Sequence, residues 1–585
     1  MSRSMQWVLL WAATSTLACL FALSWLPAAF DGDNYTPIGA DSFYHARRIL
    51  DTVADSNAFY QFDTAIHAPE GSLLTWPWAY DRMAAGIVAG AMKLGATADP
   101  MAVLVYLPVA MAPVSVGLVI VLGLLTGLPR WGVVALASAY AISPLTRELH
   151  AVGRIDHHFV EHFFFLASLC AGMAWLKAPS SARAVVFGAV LGIAPGFHNG
   201  LFVLQAFLGG TIVLLWLRGL LELRRTESWF AAALVVSSLA ILLPSEPFRA
   251  FEWAFYYLGW FHLLTAILSA ALVSWLARRG PSRLNIYLLA AGSITVGFLA
   301  WSQIGHGGRF VFANMPALSD VTESASLIGI LEAGRARFLT ERYTFMIWLL
   351  PVIALGLALT AIRGRAPDHV LLTVTLLGGG FLMLQQLRLH YFGYLVLMLP
   401  PLQWAATRKK TLAIAAGAAF LAAQLPAVMD FGSHPVLAGD RNYAVNRGLI
   451  LELGERCAAD PGVVLARFGD GHYLRFHTNC AVIANNMIMT RQHLERIALT
   501  ETLFDLAPAV LRATYPWIDY VYLWRQDNPL NRTAREADDP QASPLARGLL
   551  MNSSMPEGFE LIGETAFEWP DGERAPFARA FHISH

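Results

Sequence analysis

Long apolar runs recur along the chain, separated by short polar connections, and then stop. They fall at 7–27, 101–125, 131–145, 159–176, 184–197, 201–217, 229–243, 257–276, 286–301, 343–362, 370–384, 391–406 and 412–426, the run at 184–197 being short. A membrane-spanning helix needs about 20 mostly apolar residues, so the pattern predicts thirteen spans. From about residue 430 the chain turns polar. Strand-like runs there, Gly462-Val-Val-Leu-Ala and Ala481-Val-Ile-Ala, alternate with helix-like ones such as Arg491 to Phe504. That alternation predicts one small mixed α/β domain. No internal repeat or low-complexity segment is present.

Composition agrees with the pattern. Apolar residues make up 56% of the 585 and charged residues 14%, whereas a soluble chain carries about a quarter charged residues. The fold class this predicts is a polytopic α-helical membrane protein with a small C-terminal α/β external domain. A net charge of zero averages a basic side against an acidic one and points to no partner; no nucleic-acid partner is expected. The first run, Trp7 to Pro27, is long for a signal sequence and lacks a small-x-small cleavage site before Asp31, so it reads as a retained helix, with a signal peptide as the other reading.

Lysine and arginine in short connections set orientation. Arg3 precedes the first run, and alternate connections carry Arg130; Lys177 and Arg183; Arg218, Arg224 and Arg225; Arg278, Arg279 and Arg283; Arg363 and Arg365; Arg408, Lys409 and Lys410. All share one side if the spans number thirteen and the N-terminus is cytoplasmic. The expectation is a multi-pass protein of the plasma (inner) membrane, with a transmembrane domain at 1–429 and an external domain at 430–585. The remaining connections then face outward: 28–100, 146–158, a long loop at 302–342 and a tight turn at 385–390. Within the first, 83–97 reads as an interfacial helix, because counting it as a span spoils the charge pattern.

These outward connections hold the candidate chemistry. Gly153-Arg-Ile-Asp-His-His158 lies between two apolar runs, with Glu161 and His162 close behind. An ionisable side chain at membrane depth costs roughly 2.5–3.5 kcal/mol on insertion scales, so such a group needs an explanation. Asp156 and His158 can offer one oxygen and one nitrogen to a divalent cation; the bland reading is a polar loop at a helix end. Topology places Asp41, Glu323 and Arg388 on the same side of the membrane. Three acids and an imidazole can hold Mn²⁺ or Mg²⁺, and a guanidinium grips a phosphate bidentately. Departure of a polyprenyl phosphate needs that combination.

At these residues the sequence resembles the catalytic subunit of oligosaccharyltransferase, including the bacterial PglB and archaeal AglB enzymes, whose organisation looks similar over nearly the whole chain. The family's first-loop aspartate matches Asp41 in GADSFYHARR, and its second acidic motif matches Asp156-His157-His158. Its SVSE/TIXE motif is similar to Asp320-Val-Thr-Glu323, and its pyrophosphate-binding arginine matches Arg388 in QQLRLHYF. The resemblance implies a GT-C glycosyltransferase with Asp41, Asp156, His158 and Glu323 around a metal, Asp41 and Glu323 as catalytic residues, and Arg388 on the donor phosphate. It implies a polyprenyl-(pyro)phosphate-linked glycan as donor and a protein, peptide or other acceptor. The departure lies at the family's WWDYG motif, which reads Arg467-Phe468-Gly469-Asp470-Gly471 here. Both tryptophans are gone and glycine replaces the aspartate, so the acceptor stretch would be Gly469, Asp470, Gly471 and His472. A GT-C enzyme moving a single sugar from a polyprenyl monophosphate to a lipid or polysaccharide is the alternative; a transporter or flippase is a lesser one. Cys457 and Cys480 flank the altered motif on the external side and predict a disulfide, two buried thiols being the other reading; Cys19 and Cys170 fall within apolar runs and read as core packing.

Overall fold

The structure is a computed structural model and describes residues 2–31, 34–312, 324–408, 410–429, 438–525, 543–551, 554–568 and 574–585. The chain divides into two compact units. The first comprises Met1–Thr36, Trp76–Ala84 and Gly95–His434; the second comprises Pro37–Thr75, Ala85–Leu94 and Pro435–His585.

The first unit is helical and carries the membrane-spanning segments. Among the described residues, seven helices are long and apolar enough to cross a membrane: Ser4–Ala28, Pro100–Leu125, His158–Lys177, Asn199–Leu217, Trp260–Arg278, Phe345–Arg363 and Pro367–Gln385. An eighth candidate, Arg283–Leu299 with Trp301–Val311, is bent by 76°. Shorter apolar helices occupy Arg130–Ile142, Ser181–Gly196, Glu227–Leu242 and Ala413–Ala422. The apolar run at 391–406 is broken into His390–Gly393, a 3₁₀ turn at Tyr394–Leu397 and Leu399–Ala406. The last piece starts with proline in its first turn, where the missing N–H costs nothing and the ring cannot continue a preceding helix. The connection at 302–342, expected to be a loop, contains the helices Leu327–Glu332 and Ala336–Tyr343; Ser326 starts the former by accepting a hydrogen bond from the Gly329 amide at 2.9 Å.

The short run at 184–197 owes its place to two glycines one turn apart. A Cβ at Gly188 would lie 2.5 Å from the Phe230 carbonyl oxygen, and one at Gly192 would lie 2.6 Å from that of Leu234. The helices Ser181–Ile193 and Glu227–Leu242 therefore meet backbone to backbone, the close approach that small-xxx-small spacing permits where lipid offers no hydrophobic drive. Nearby, buried Trp175 stacks on Phe230 at 5.0 Å and donates its indole N–H to Thr226 Oγ1 at 2.9 Å.

The second unit is built on a five-stranded mixed sheet. Its strands are β1 (Val463–Leu465), β2 (Ala481–Val482), β3 (Tyr520–Trp524), β4 (Phe559–Glu568) and β5 (Arg574–Ile583), in the order β2-β1-β3-β5-β4. β1 runs parallel to β2 and β3, while β5 is antiparallel to β3 and β4. Leu465, Leu503, Leu511, Val521 and Phe581 form its apolar core. The helix Arg491–Phe504 opens with a capping box between Thr490 and His493.

The stretch 37–75 belongs to this same unit. The Ala68 amide donates to the Val482 carbonyl at 3.1 Å and the Val482 amide to that of Ala65 at 3.0 Å, so this stretch covers β2, an edge strand that would otherwise present unpaired backbone. Buried Arg475 pairs with buried Asp63 at 3.2 Å, and the Tyr44 hydroxyl donates to the same carboxylate at 2.8 Å. Phe43 sets its ring edge-on to Tyr443, Tyr473 and Phe476. Cys457 and Cys480 form a disulfide, which ties the helix Ala438–Ala459 to the start of β2. Cys19 and Cys170 are free, and Cys170 is buried.

Candidate functional site

The loop holding Asp156 is buried, so its backbone groups need partners away from water. The Val152 amide donates to the Ala22 carbonyl at 3.3 Å and the Gly153 amide to that of Val105 at 2.9 Å, which fastens the loop to two helices. Gly153 makes the turn at φ 84°, a conformation glycine adopts without penalty. The Tyr80 hydroxyl donates to the Ile155 carbonyl. Upstream, Glu148 is clamped by Arg342 at 2.8 Å and by Arg154 at 3.7 Å. Burial alone would raise the Glu148 pKa, but the two arginines outweigh it and hold the carboxyl at about 2.

Asp156 and His158, the expected ligand pair, come together on this loop. Asp156 is buried; its Oδ2 lies 3.1 Å from His158 Nε2 and its Oδ1 lies 3.0 Å from His157 Nδ1. His158 begins the helix His158–Lys177, so Glu161 follows it by one turn. His158 Nδ1–H donates to Glu161 Oε2 at 2.7 Å. The other Glu161 oxygen pairs with His198 Nδ1, and the His198 ring stacks on His157 with centroids 4.6 Å apart. His157, Glu161 and His198 each bring a ligand-type atom within 4.8 Å of the others. The result is a run of alternating imidazoles and carboxylates: His157, Asp156, His158, Glu161 and His198. As a donor set, the Asp156 carboxylate and the His158 imidazole fit a hard or borderline divalent cation.

Arg388 sits in the 3₁₀ turn Leu387–Leu389 at the end of the helix Pro367–Gln385. Its Nη2 donates to Ser324 Oγ at 3.3 Å, and its guanidinium lies 5.4 Å from the centre of the Phe310 ring. The Leu387 amide donates to the Ala325 carbonyl at 3.0 Å. Arg388 is thus held at the stretch that follows Glu323 in sequence; Glu323 itself lies outside the described residues.

Asp41 belongs to the second unit, in the first turn of the helix Ala40–Ala54. Its Oδ1 lies 3.2 Å from Nδ1 of His472, which is fully buried and stacks on Tyr44 at 5.0 Å. His472, expected at the acceptor, is therefore packed beside Asp41. Asp470 closes the 3₁₀ turn Phe468–Asp470, and its Oδ2 accepts the Trp524 indole N–H at 2.8 Å. Arg467 lies over the rings of both Trp524 and Phe504. Burial pushes the Asp470 carboxyl up to about 6 despite the opposing pull of Trp524 and Arg467. The two glycines differ. Gly469 would meet nothing within 4 Å if given a Cβ, whereas a Cβ on Gly471 would lie 2.3 Å from the Ala484 carbonyl oxygen.

Sequence reasoning noted Glu161 without giving it a role and did not single out His198. The available signal was His198-Asn199-Gly200, a polar break between the runs 184–197 and 201–217. The lysine and arginine count that predicts an outward Asp156 predicts the same side for this break.

The fold is similar to that of solved oligosaccharyltransferase structures. Among solved structures, the Archaeoglobus fulgidus oligosaccharyltransferase AglB in complex with an inhibitory peptide and a dolichol-phosphate matches with a TM-score of 0.74 at 15% identity, covering 98% of this chain and 74% of that one. The apo form from the same organism matches with a TM-score of 0.76 at 16% identity, over 95% of this chain and 80% of that one. Its complex with Zn and sulfate matches with a TM-score of 0.67 at 16% identity, over 97% and 73%. No family model matches the sequence, and the search of curated proteins gives no match.

Proposed function

We propose that the chain is a metal-dependent GT-C glycosyltransferase of the oligosaccharyltransferase type, transferring a glycan from a polyprenyl (pyro)phosphate to an acceptor outside the membrane. The observation that carries this reading is the contact between buried Asp156 and half-buried His158 at the start of a long apolar helix, within a fold like that of AglB. In this reading 1–429 forms a thirteen-span transmembrane catalytic domain of the inner membrane, with a cytoplasmic N-terminus and 430–585 external. Asp41, Asp156, His158 and Glu323 would hold Mn²⁺ or Mg²⁺, which when bound supplies charge to offset the departing phosphate. Arg388 binds that phosphate, its guanidinium already oriented by Ser324. Asp41 and Glu323 orient the incoming nucleophile. The neighbouring structures carry a dolichol-phosphate, an inhibitory peptide, and Zn with sulfate, and each of these chemistries suits the role proposed here.

The acceptor admits a second reading. At the WWDYG position Asp470 is engaged by Trp524 and Gly469 offers no side chain, which favours a lipid or polysaccharide acceptor over a peptide read through a Ser or Thr hydroxyl.

The test is product analysis with a polyprenyl-linked sugar and matched peptide, lipid and polysaccharide acceptors. Asp156→Ala and His158→Ala should abolish transfer by folded protein. EDTA should do the same to wild type, with Mn²⁺ restoring it. Full turnover in EDTA would end the metal-dependent reading. A preference for N-x-T over N-x-A peptides of about a hundredfold, roughly 2.7 kcal/mol, would decide for a sequon acceptor.

A further inference from the structure

We infer that Glu161, itself paired with His198, is a positioning residue that fixes the His158 imidazole for ligation. The inference rests on the reading that Asp156 and His158 hold a divalent cation. Glu161 is fully buried, one turn into a membrane helix, in a chain that otherwise keeps acids out of its apolar runs. His158 Nδ1 donates to its Oε2 at 2.7 Å, and His198 Nδ1 pairs with its Oε1. The Tyr391 ring also lies against His158, with centroids 5.4 Å apart. His158 is thus held by a hydrogen bond at one edge and an aromatic face at its side.

The consequence lies in the two ring nitrogens. A neutral imidazole that donates from Nδ1 to Glu161 carries its lone pair on Nε2, the atom 3.1 Å from Asp156 Oδ2. A ligating imidazole needs its other N–H donated to an acceptor, and a carboxylate there sets the tautomer and raises the basicity of the ligand. Were Glu161 only a satisfied core acid, its removal would leave cation binding at Nε2 unchanged. Asp156-x-His158-x-x-Glu161 is a local arrangement, but His198 and Tyr391 reach it from other segments.

The experiment is Mn²⁺ binding to detergent-solubilised full-length protein, read by electron paramagnetic resonance as an affinity and as ¹⁴N coupling to the bound ion. Wild type should show imidazole ¹⁴N coupling that is reduced in His158→Ala. Glu161→Ala should bind Mn²⁺ tenfold to a hundredfold more weakly, the range typical of lost outer-shell partners, with the His158 coupling diminished. Glu161→Gln, which can still accept from Nδ1, should restore the coupling and part of the affinity. If wild type shows no coupling that depends on His158, the cation reading fails and the inference with it. If wild type shows it but Glu161→Ala binds within twofold with the same coupling, the inference alone is overturned. Should Glu161→Ala not fold, Glu161→Leu, which fills the space but offers no acceptor, takes its place and is read by the same criteria.

Discussion

At the scale of single residues, the second unit shows how neighbours in sequence differ in what they tolerate. Gly469 has space around it and an ordinary φ, while Gly471 packs against the Ala484 carbonyl. Gly469→Ala should leave thermal unfolding unchanged. Gly471→Ala should lower the melting temperature, since overpacking costs about 1–3 kcal/mol; equal melting temperatures for the two variants would refute the packing argument. Asp470 makes a pH-dependent contribution whose sign follows from its raised pKa. Its carboxyl titrates near 6 in the folded protein against an ordinary 3.8. The folded state therefore binds the extra proton between those values, and the contribution is full below the ordinary pKa and lost as pH rises through about 6. Asp470→Asn keeps an oxygen for the Trp524 indole and removes the titration. The variant should melt with wild type near pH 4 and above it at pH 7.5. A gap that is constant with pH would show that Asp470 does not titrate in this range.

At the scale of elements, the helix Ser181–Ile193 was the least secure span in sequence because it is short, and its packing explains how it is held. Gly188 and Gly192 let it approach Glu227–Leu242 until a single methyl would collide. Gly192→Val should separate the pair and lower the melting temperature, again by an amount equivalent to about 1–3 kcal/mol. Gly356, whose surroundings are open in the helix Leu350–Arg363, supplies the control, and equal effects of Gly192→Val and Gly356→Ala would show that the close approach is not what holds this helix. The helix His158–Lys177 presents the opposite case. Its apolar pattern was plain, but its first turn carries His158, Glu161 and His162, and only their partners on other segments show why those groups stand there.

At the scale of the whole molecule, the sidedness that the charge pattern predicts is open to a direct check. A reporter fused after Asp430 should be external and one fused after Lys410 cytoplasmic. The same compartment at both sites would remove the last span and the thirteen-helix reading. The assembly of the second unit from remote segments also belongs to this scale. Residues 37–75, remote in sequence from 435–585, share their compact unit through the Arg475–Asp63 pair and the backbone bonds to Val482.

Much of this was legible in the sequence because it depends on local composition. Apolar run length predicted the helices, β-branched runs predicted β1 and β2, and Arg491–Phe504 matches the helix expected there. The closeness of Asp156 and His158 was legible as well, since two residues of separation at a helix start bring their side chains within 3.1 Å. Long-range contacts were not legible. His198 reaches Glu161 from another helix turn, His472 reaches Asp41 across the second unit, and Trp524 occupies Asp470 from a strand more than fifty residues on. Hydropathy and charge act on each segment separately, so they determine which segments enter the membrane and which side they face. Which buried carboxylate meets which imidazole is set by packing between segments, and only the tertiary structure decides it.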